Sequence, residues 1–141
     1  MKKATLLIIC IILAWNAFSQ DLKTKDVPPG VVAALKTKFP AAAKVSWEKE
    51  KGNYEANWGG RSGEDHSAQF TPSGSFVEIV DNIPVSSLPA KVSPYVTAHY
   101  NGAKIKEAGS VTNAAGKKSY EVEIKGKDLI FDLDGNFVKE D

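Results

Sequence analysis

Gln69-Phe70-Thr71-Pro72-Ser73-Gly74-Ser75-Phe76-Val77-Glu78 is answered further along the chain by Ile130-Phe131-Asp132-Leu133-Asp134-Gly135-Asn136-Phe137-Val138-Lys139. Phe70, Gly74, Phe76 and Val77 recur as Phe131, Gly135, Phe137 and Val138, each 61 positions later. Working outward, Val27-Pro28 matches Leu88-Pro89 at the same offset. Val31, Leu35 and Phe39 match Val92, Val96 and Tyr100. Ala43-Lys44-Val45 matches Ala103-Lys104-Ile105 after a one-residue deletion, and Tyr54-Glu55-Ala56 matches Tyr120-Glu121-Val122 after an insertion. Four matched segments in one order mean a duplicated half-domain, because the period is too long for a stacked solenoid repeat.

Each copy reads as one helix followed by four strands. In the first, Pro28 and Pro29 suit an opening turn. Val31 or Val32, Leu35 and Phe39 share one helical face, and Pro40 ends the helix. In the second, Ser86 or Ser87 can cap, Val92, Val96 and Tyr100 form the stripe, and Asn101-Gly102 supplies the stop. Pro94 conflicts with a helix interior. The helix either starts late, capped by Ser93, or bends there.

Strands are expected over about 43–51, 53–60, 65–72 and 75–80, then over about 103–112, 117–125, 127–133 and 136–140. The linkers Lys51-Gly52-Asn53, Pro72-Ser73-Gly74, Asn113 to Gly116, Lys125-Gly126-Lys127 and Asp134-Gly135-Asn136 have hairpin chemistry. Hairpins make neighbouring strands antiparallel. Tyr54, Ala56 and Trp58 alternate with Glu55 and Asn57; Tyr120, Val122 and Ile124 alternate with Glu121 and Glu123; Val45 and Trp47 alternate with Lys44, Ser46 and Glu48. One sheet face is therefore apolar and covered by both helices, and the other is polar and open. The expected fold is α+β: two tandem helix-plus-four-strand units in one antiparallel sheet of about eight strands, both helices on one face.

The first nineteen residues differ in kind. Lys2 and Lys3 precede the apolar run Leu6 to Ala14, and Ala17-Phe18-Ser19 places small residues where a signal peptidase reads. Residues 1–19 are read as a signal peptide cut before Gln20. The apolar run is short for a spanning helix. Cys10 as a lipoprotein cysteine fits poorly, because the run continues beyond it. Removing Lys2 and Lys3 takes the formal charge from +1 to −1 and removes the only cysteine, leaving no disulfide or thiol chemistry. The expected organisation is 20–82 for the first unit and 83–141 for the second, forming one compact domain. The near-neutral balance gives no reason to expect nucleic acid, and no stable membrane insertion is expected after cleavage.

The pattern of apolar-Pro, helix, Ala-Lys-Val/Ile, Tyr-Glu-apolar and Phe-x-x-x-Gly-x-Phe resembles the PepSY-like, β-lactamase-inhibitor-like family of secreted bacterial proteins. The resemblance covers essentially all of residues 27–140, with Val45-Ser46-Trp47-Glu48 and Tyr54-Glu55-Ala56 fitting well. It implies a periplasmic or secreted, non-enzymatic protein with a fold like the β-lactamase-inhibitor protein. Copy two departs from the pattern at Pro94 and at Glu107, which aligns by hydrophobic phase with Trp47. A shared fold does not make the chain an inhibitor.

Catalytic and metal constellations are thin. His66 and its neighbour Ser67 point to opposite faces of a strand, which disfavours a dyad; Ser62 is the other nucleophile weighed with it. His66 and His99 stand apart without a cysteine, so zinc is not expected. Asp132-Leu133-Asp134-Gly135-Asn136 is similar to part of a calcium loop, but it is also turn chemistry, and Gly74 holds the same place without an aspartate. Gly59-Gly60 and Gly63 around Arg61 lack the lysine and helix of a phosphate loop and read as a flexible hairpin tip. Glu55, Glu121 and Glu123 read as a solvated face, and Tyr54, Trp58 and Trp47 as core. No cofactor is expected. The first functional reading is a secreted binding module for a protein or peptide, inhibiting or regulating it, with Ser46, Glu48, Glu55, Asn57, Glu121 and Glu123 on the open face as contacts. A structural envelope protein without a specific ligand ranks second and a hydrolase third.

Overall fold

Nine strands and two helices follow one another in the computed structural model, which describes residues 20–141. Residues 1–19, read above as a signal peptide and including Cys10, lie outside the described residues. The strands are β1 (Gln20–Leu22), β2 (Ser46–Glu50), β3 (Asn53–Trp58), β4 (His66–Phe70), β5 (Phe76–Ile83), β6 (Glu107–Asn113), β7 (Lys118–Ile124), β8 (Lys127–Phe131) and β9 (Phe137–Glu140). The helices are α1 (Pro29–Lys38), between β1 and β2, and α2 (Val92–His99), between β5 and β6. All strands join one sheet in sequence order, and every pairing is antiparallel. This is the α+β architecture that the repeat and its hairpins predict.

Three details differ from expectation. The ninth strand is β1, where Asp21 and Leu22 pair with Glu48 and Trp47; three residues are too few to show alternation. The Ala-Lys-Val/Ile segments are not strand: β2 starts at Ser46 and β6 at Glu107. In the first copy Lys44 takes a left-handed φ of 54°, which no ladder residue adopts. Finally, Ser86 and Ser87 sit in a 3-10 turn rather than capping α2, and α2 starts at Val92 with Lys91 at its N-cap. Ser93 is therefore inside the helix. Pro94 is its third residue, where an N–H has no partner within the helix and proline loses nothing.

The duplicated apolar residues build two equivalent cores on the helix-bearing face. Val31 and Leu35 of α1 pack with Trp47, Ala56, Trp58, Ala68 and Phe70. Val92 and Val96 of α2 pack with Ala108, Val122, Ile124, Leu129 and Phe131. Tyr54 is partly buried against the first cluster, as alternation predicts. The register corrects the alignment of Trp47. It stands opposite Ala56, and Val122, the repeat mate of Ala56, stands opposite Ala108. The counterpart of Trp47 is thus Ala108, and Glu107 corresponds to Ser46.

The recurrent glycines Gly74 and Gly135 have a double reason. Both sit at hairpin tips with left-handed φ, 86° and 81°. Both tips also press under a helix start: a Cβ on Gly74 would lie 3.1 Å from the Gly30 carbonyl oxygen, and one on Gly135 2.7 Å from Pro89 Cβ. Gly126 has φ of 74° but open space around it. Gly135→Ala is therefore expected to destabilise by about 2–4 kcal/mol, and Gly126→Ala by only about 1–2 kcal/mol. Urea unfolding of the two variants tests the difference; equal effects would mean the contact with Pro89 relaxes freely.

A flat sheet would place the β2–β3 turn about 30 Å from β9, at six strand spacings. Instead Lys51 Nζ in that turn lies 3.8 Å from Asp141 Oδ2, just past β9. The sheet is therefore strongly curled, with both helices outside and the polar face inside.

Candidate binding face

The polar face is built from cross-strand rows. Ser46, Asn57, Ser67, Val80 and Val111 form one row, and Glu48, Glu55, Gln69, Glu78 and Asn113 the next. Asn82, Gly109, Glu121, Ile130 and Lys139 form a third, and Glu107, Glu123 and Asp128 a fourth. Curling brings the rows around one cleft of about 320 Å³, lined by ten carboxylic side chains and a single lysine, Lys51. Gly109 keeps its floor open, since a side chain there would run into Val80.

Five of the six residues singled out in the sequence, Glu48, Glu55, Asn57, Glu121 and Glu123, line this cleft. Ser46 lies on the same face but outside the cleft, exposed at the start of β2. Alternation missed the remaining carboxylates. Glu50 and Glu78 follow from the parity and register of Glu48, and Asp128 from its pairing with Glu123, with the Asp141 amide donating to the Asp128 carbonyl; the curl then brings this row against Glu50.

The expectation of a fully solvated acidic face is corrected. Glu55, Glu121 and Glu123 are each partly buried, because the curl removes water from the concave side. Glu55 is held by Asn57 Nδ2, donating to Oε1 at 3.2 Å, and by Gln69 Nε2, donating to Oε2 at 3.1 Å. Glu123 pairs with Lys106 at 3.2 Å. Burial pushes the Glu121 carboxyl up to about 8, with Asp128, Glu78, Glu55 and Glu50 adding like-charge repulsion. Glu50, Glu78 and Asp128 are also raised, in each case mainly by burial.

The other polar residues have local partners. His66 Nδ1 lies 2.7 Å from Asp81 Oδ1, in the helix-side row that runs from Trp58 to Ser110, and Ser67 points the other way. His99 Nδ1 sits 2.9 Å from the Tyr95 carbonyl, with its ring stacked on Tyr95 at 4.0 Å. The Asp132 carboxylate accepts bonds from the Asp134 and Asn136 amides and from Asn136 Nδ2, at 2.8–3.0 Å. These bonds hold it below the ordinary carboxylate range. Thr71 closes the equivalent turn in the first copy, accepting from the Ser75 amide at 3.1 Å. Gly59 and Gly60 lie against Asp65 and His66 and are followed by strand β4, not by a helix.

A curled antiparallel meander with two external helices and a polar concave face defines a class of small α+β proteins. The chain belongs to the family described as "Putative beta-lactamase-inhibitor-like, PepSY-like", whose pattern it matches twice, over residues 14–61 and 61–139. Solved structures share the fold. A DUF2874 family protein from Bacteroides uniformis ATCC 8492 is 21% identical, with TM-score 0.62 over 81% of this chain and 88% of that one. A BLIP-like protein from Bacteroides fragilis NCTC 9343 is 18% identical, with TM-score 0.56 over 81% and 84%. A structure from Bacteroides eggerthii DSM 20697, described as "putative periplasmic proteins", is 20% identical, with TM-score 0.63 over 82% and 88%. No curated protein sequence matches this chain significantly. Among the described residues, no helix is long and apolar enough to cross a membrane.

Proposed function

We propose that the chain is a non-catalytic periplasmic or secreted module that holds a protein or peptide partner in its concave face, and inhibits or regulates that partner by occupying it. The observation that carries this reading is one cleft lined jointly by both repeats, from Glu48 on β2 to Asp141 beyond β9. The helices take the apolar face and leave this one without a covering element. The periplasmic description of a structural neighbour and the signal-like start of the chain support an exported location.

One observation favours catalysis instead. Glu121 would be a neutral acid among ionised carboxylates, the arrangement of an acid–base pair. The cleft, however, has no aromatic lining residue on which a sugar or ring substrate would stack, and both histidine Nδ1 atoms already have partners. Docking accounts for more of the face.

Ser67 lies at the cleft wall, so Ser67→Tyr fills it without changing charge. Affinity capture from periplasmic extract should recover a stoichiometric partner with the wild type, bound at least about tenfold more weakly by Ser67→Tyr. Thr97→Tyr on the exposed side of α2 should bind normally. Retention of the partner by Ser67→Tyr would place docking elsewhere.

A further inference from the structure

The carboxylates of the concave face are unevenly matched. At its margins Lys106 pairs with Glu123, and Lys51 and Lys139 with Asp141. Toward the middle, no lysine or arginine among the described residues lies within ion-pair distance of Glu50, Glu78, Glu121 or Asp128. The mature charge is near zero, so this is a local concentration of negative charge and not an acidic chain. The fold does not need it, because both cores lie on the other face. Like charges gathered in a partly desolvated concavity oppose folding. A counter-charge supplied from outside would remove that repulsion.

Two features restrict what supplies it. Among the described residues, no three acidic or imidazole side chains converge as a metal ion would require. The cleft is also small, at about 320 Å³, which suits a few extended side chains and not the bulk of a domain. We propose that the unpartnered concave sheet face docks a Lys/Arg-rich extended segment of a protein, whose cationic side chains meet the central carboxylates. This rests on the docking function above and names the chemistry of its partner. Burial keeps a proton on Glu121; an incoming ammonium or guanidinium group would take over that proton's neutralising role.

The probe is a short Lys/Ser peptide, with Gln/Ser and Glu/Ser peptides of equal length as controls, titrated into the mature chain at pH 7. The Lys/Ser peptide should bind, the controls should not, and affinity should fall as salt rises. Binding should release a proton, seen as a calorimetric enthalpy that depends on the buffer's ionisation heat. Glu78→Gln combined with Asp128→Asn should weaken binding about tenfold. Asp26→Asn with Asp134→Asn removes as much charge away from the face and should leave binding unchanged. Equal loss in both double variants, or equal binding of the Gln/Ser peptide, overturns the proposal. So does a concentration-dependent dimer abolished by the face variants, since a second copy would then be the occupant. If the Lys/Ser peptide fails while Ser67→Tyr still prevents capture, the docking face stands and only its charge preference falls.

Discussion

Replacing Phe131 by alanine is expected to destabilise the chain by about 3–5 kcal/mol, and Phe70→Ala by a similar or slightly smaller amount. The two phenylalanines are repeat mates and both are fully buried. Each meets the next hairpin strand edge-on: Phe70 with Phe76 and Phe131 with Phe137, both at 5.8 Å between ring centres. Phe131 also meets Tyr95 of α2 edge-on at 5.6 Å, whereas Phe76 takes the ring contact with Phe39 after α1. Losing Phe131 therefore loosens both sheet and helix, and its variant should be the weaker. A unit near 60 residues buries too little surface to be robust alone, and β5 and β6 join the halves through six register pairs. Urea denaturation should give one transition in each variant, shifted to lower midpoint with an unchanged slope. A second, unshifted transition in either variant would show that the halves unfold separately.

Much of this architecture was legible because the duplication repeats what folding depends on. Pro28 and Leu88-Pro89, the stripes through Val31 and Val92, and Gly74 with Gly135 mark helix starts, helix faces and tight tips by local steric rules. Period-two alternation then placed Glu55, Asn57, Glu121 and Glu123 on the open face. Long-range properties stayed hidden. The curl that brings Lys51 to Asp141 is set by accumulated twist over nine strands, and no local pattern encodes it. Without the curl, Glu121 reads as solvated, and Asp128 and Asp141 read as unrelated to Glu50. The misalignment of Trp47 with Glu107 has a simpler origin. The deletion before Lys104 shifts the phase by one residue, and one residue turns a core side chain into an open-face one.

Stability should fall as pH rises from about 5 to 8, and Glu121→Gln should abolish most of that fall. The ordinary glutamate value near 4.5 applies to the unfolded chain, and about 8 to the folded one. Between these values the native state holds a proton that the unfolded state has released. Stability then decreases with pH, by up to about 1.4 kcal/mol per unit for this one group. Below about 4.5 both states are protonated and above about 8 both are ionised, so the loss is confined to that window. Glu50, Glu78 and Asp128 are raised as well and act in the same direction. Glutamine keeps the shape of the neutral acid but cannot ionise. The variant should match the wild type at pH 5 and exceed it by about 3–5 kcal/mol at pH 9. Urea midpoints at pH 5, 7 and 9 give the comparison; parallel profiles would mean that Glu121 is hydrated in the folded chain and ionises normally. The same substitution sharpens the functional argument. A face that becomes more stable once its central carboxyl cannot ionise is organised around a charge that the fold itself opposes. If Glu121→Gln stabilises the free chain while weakening its hold on a cationic segment, stability and binding are being traded at one side chain.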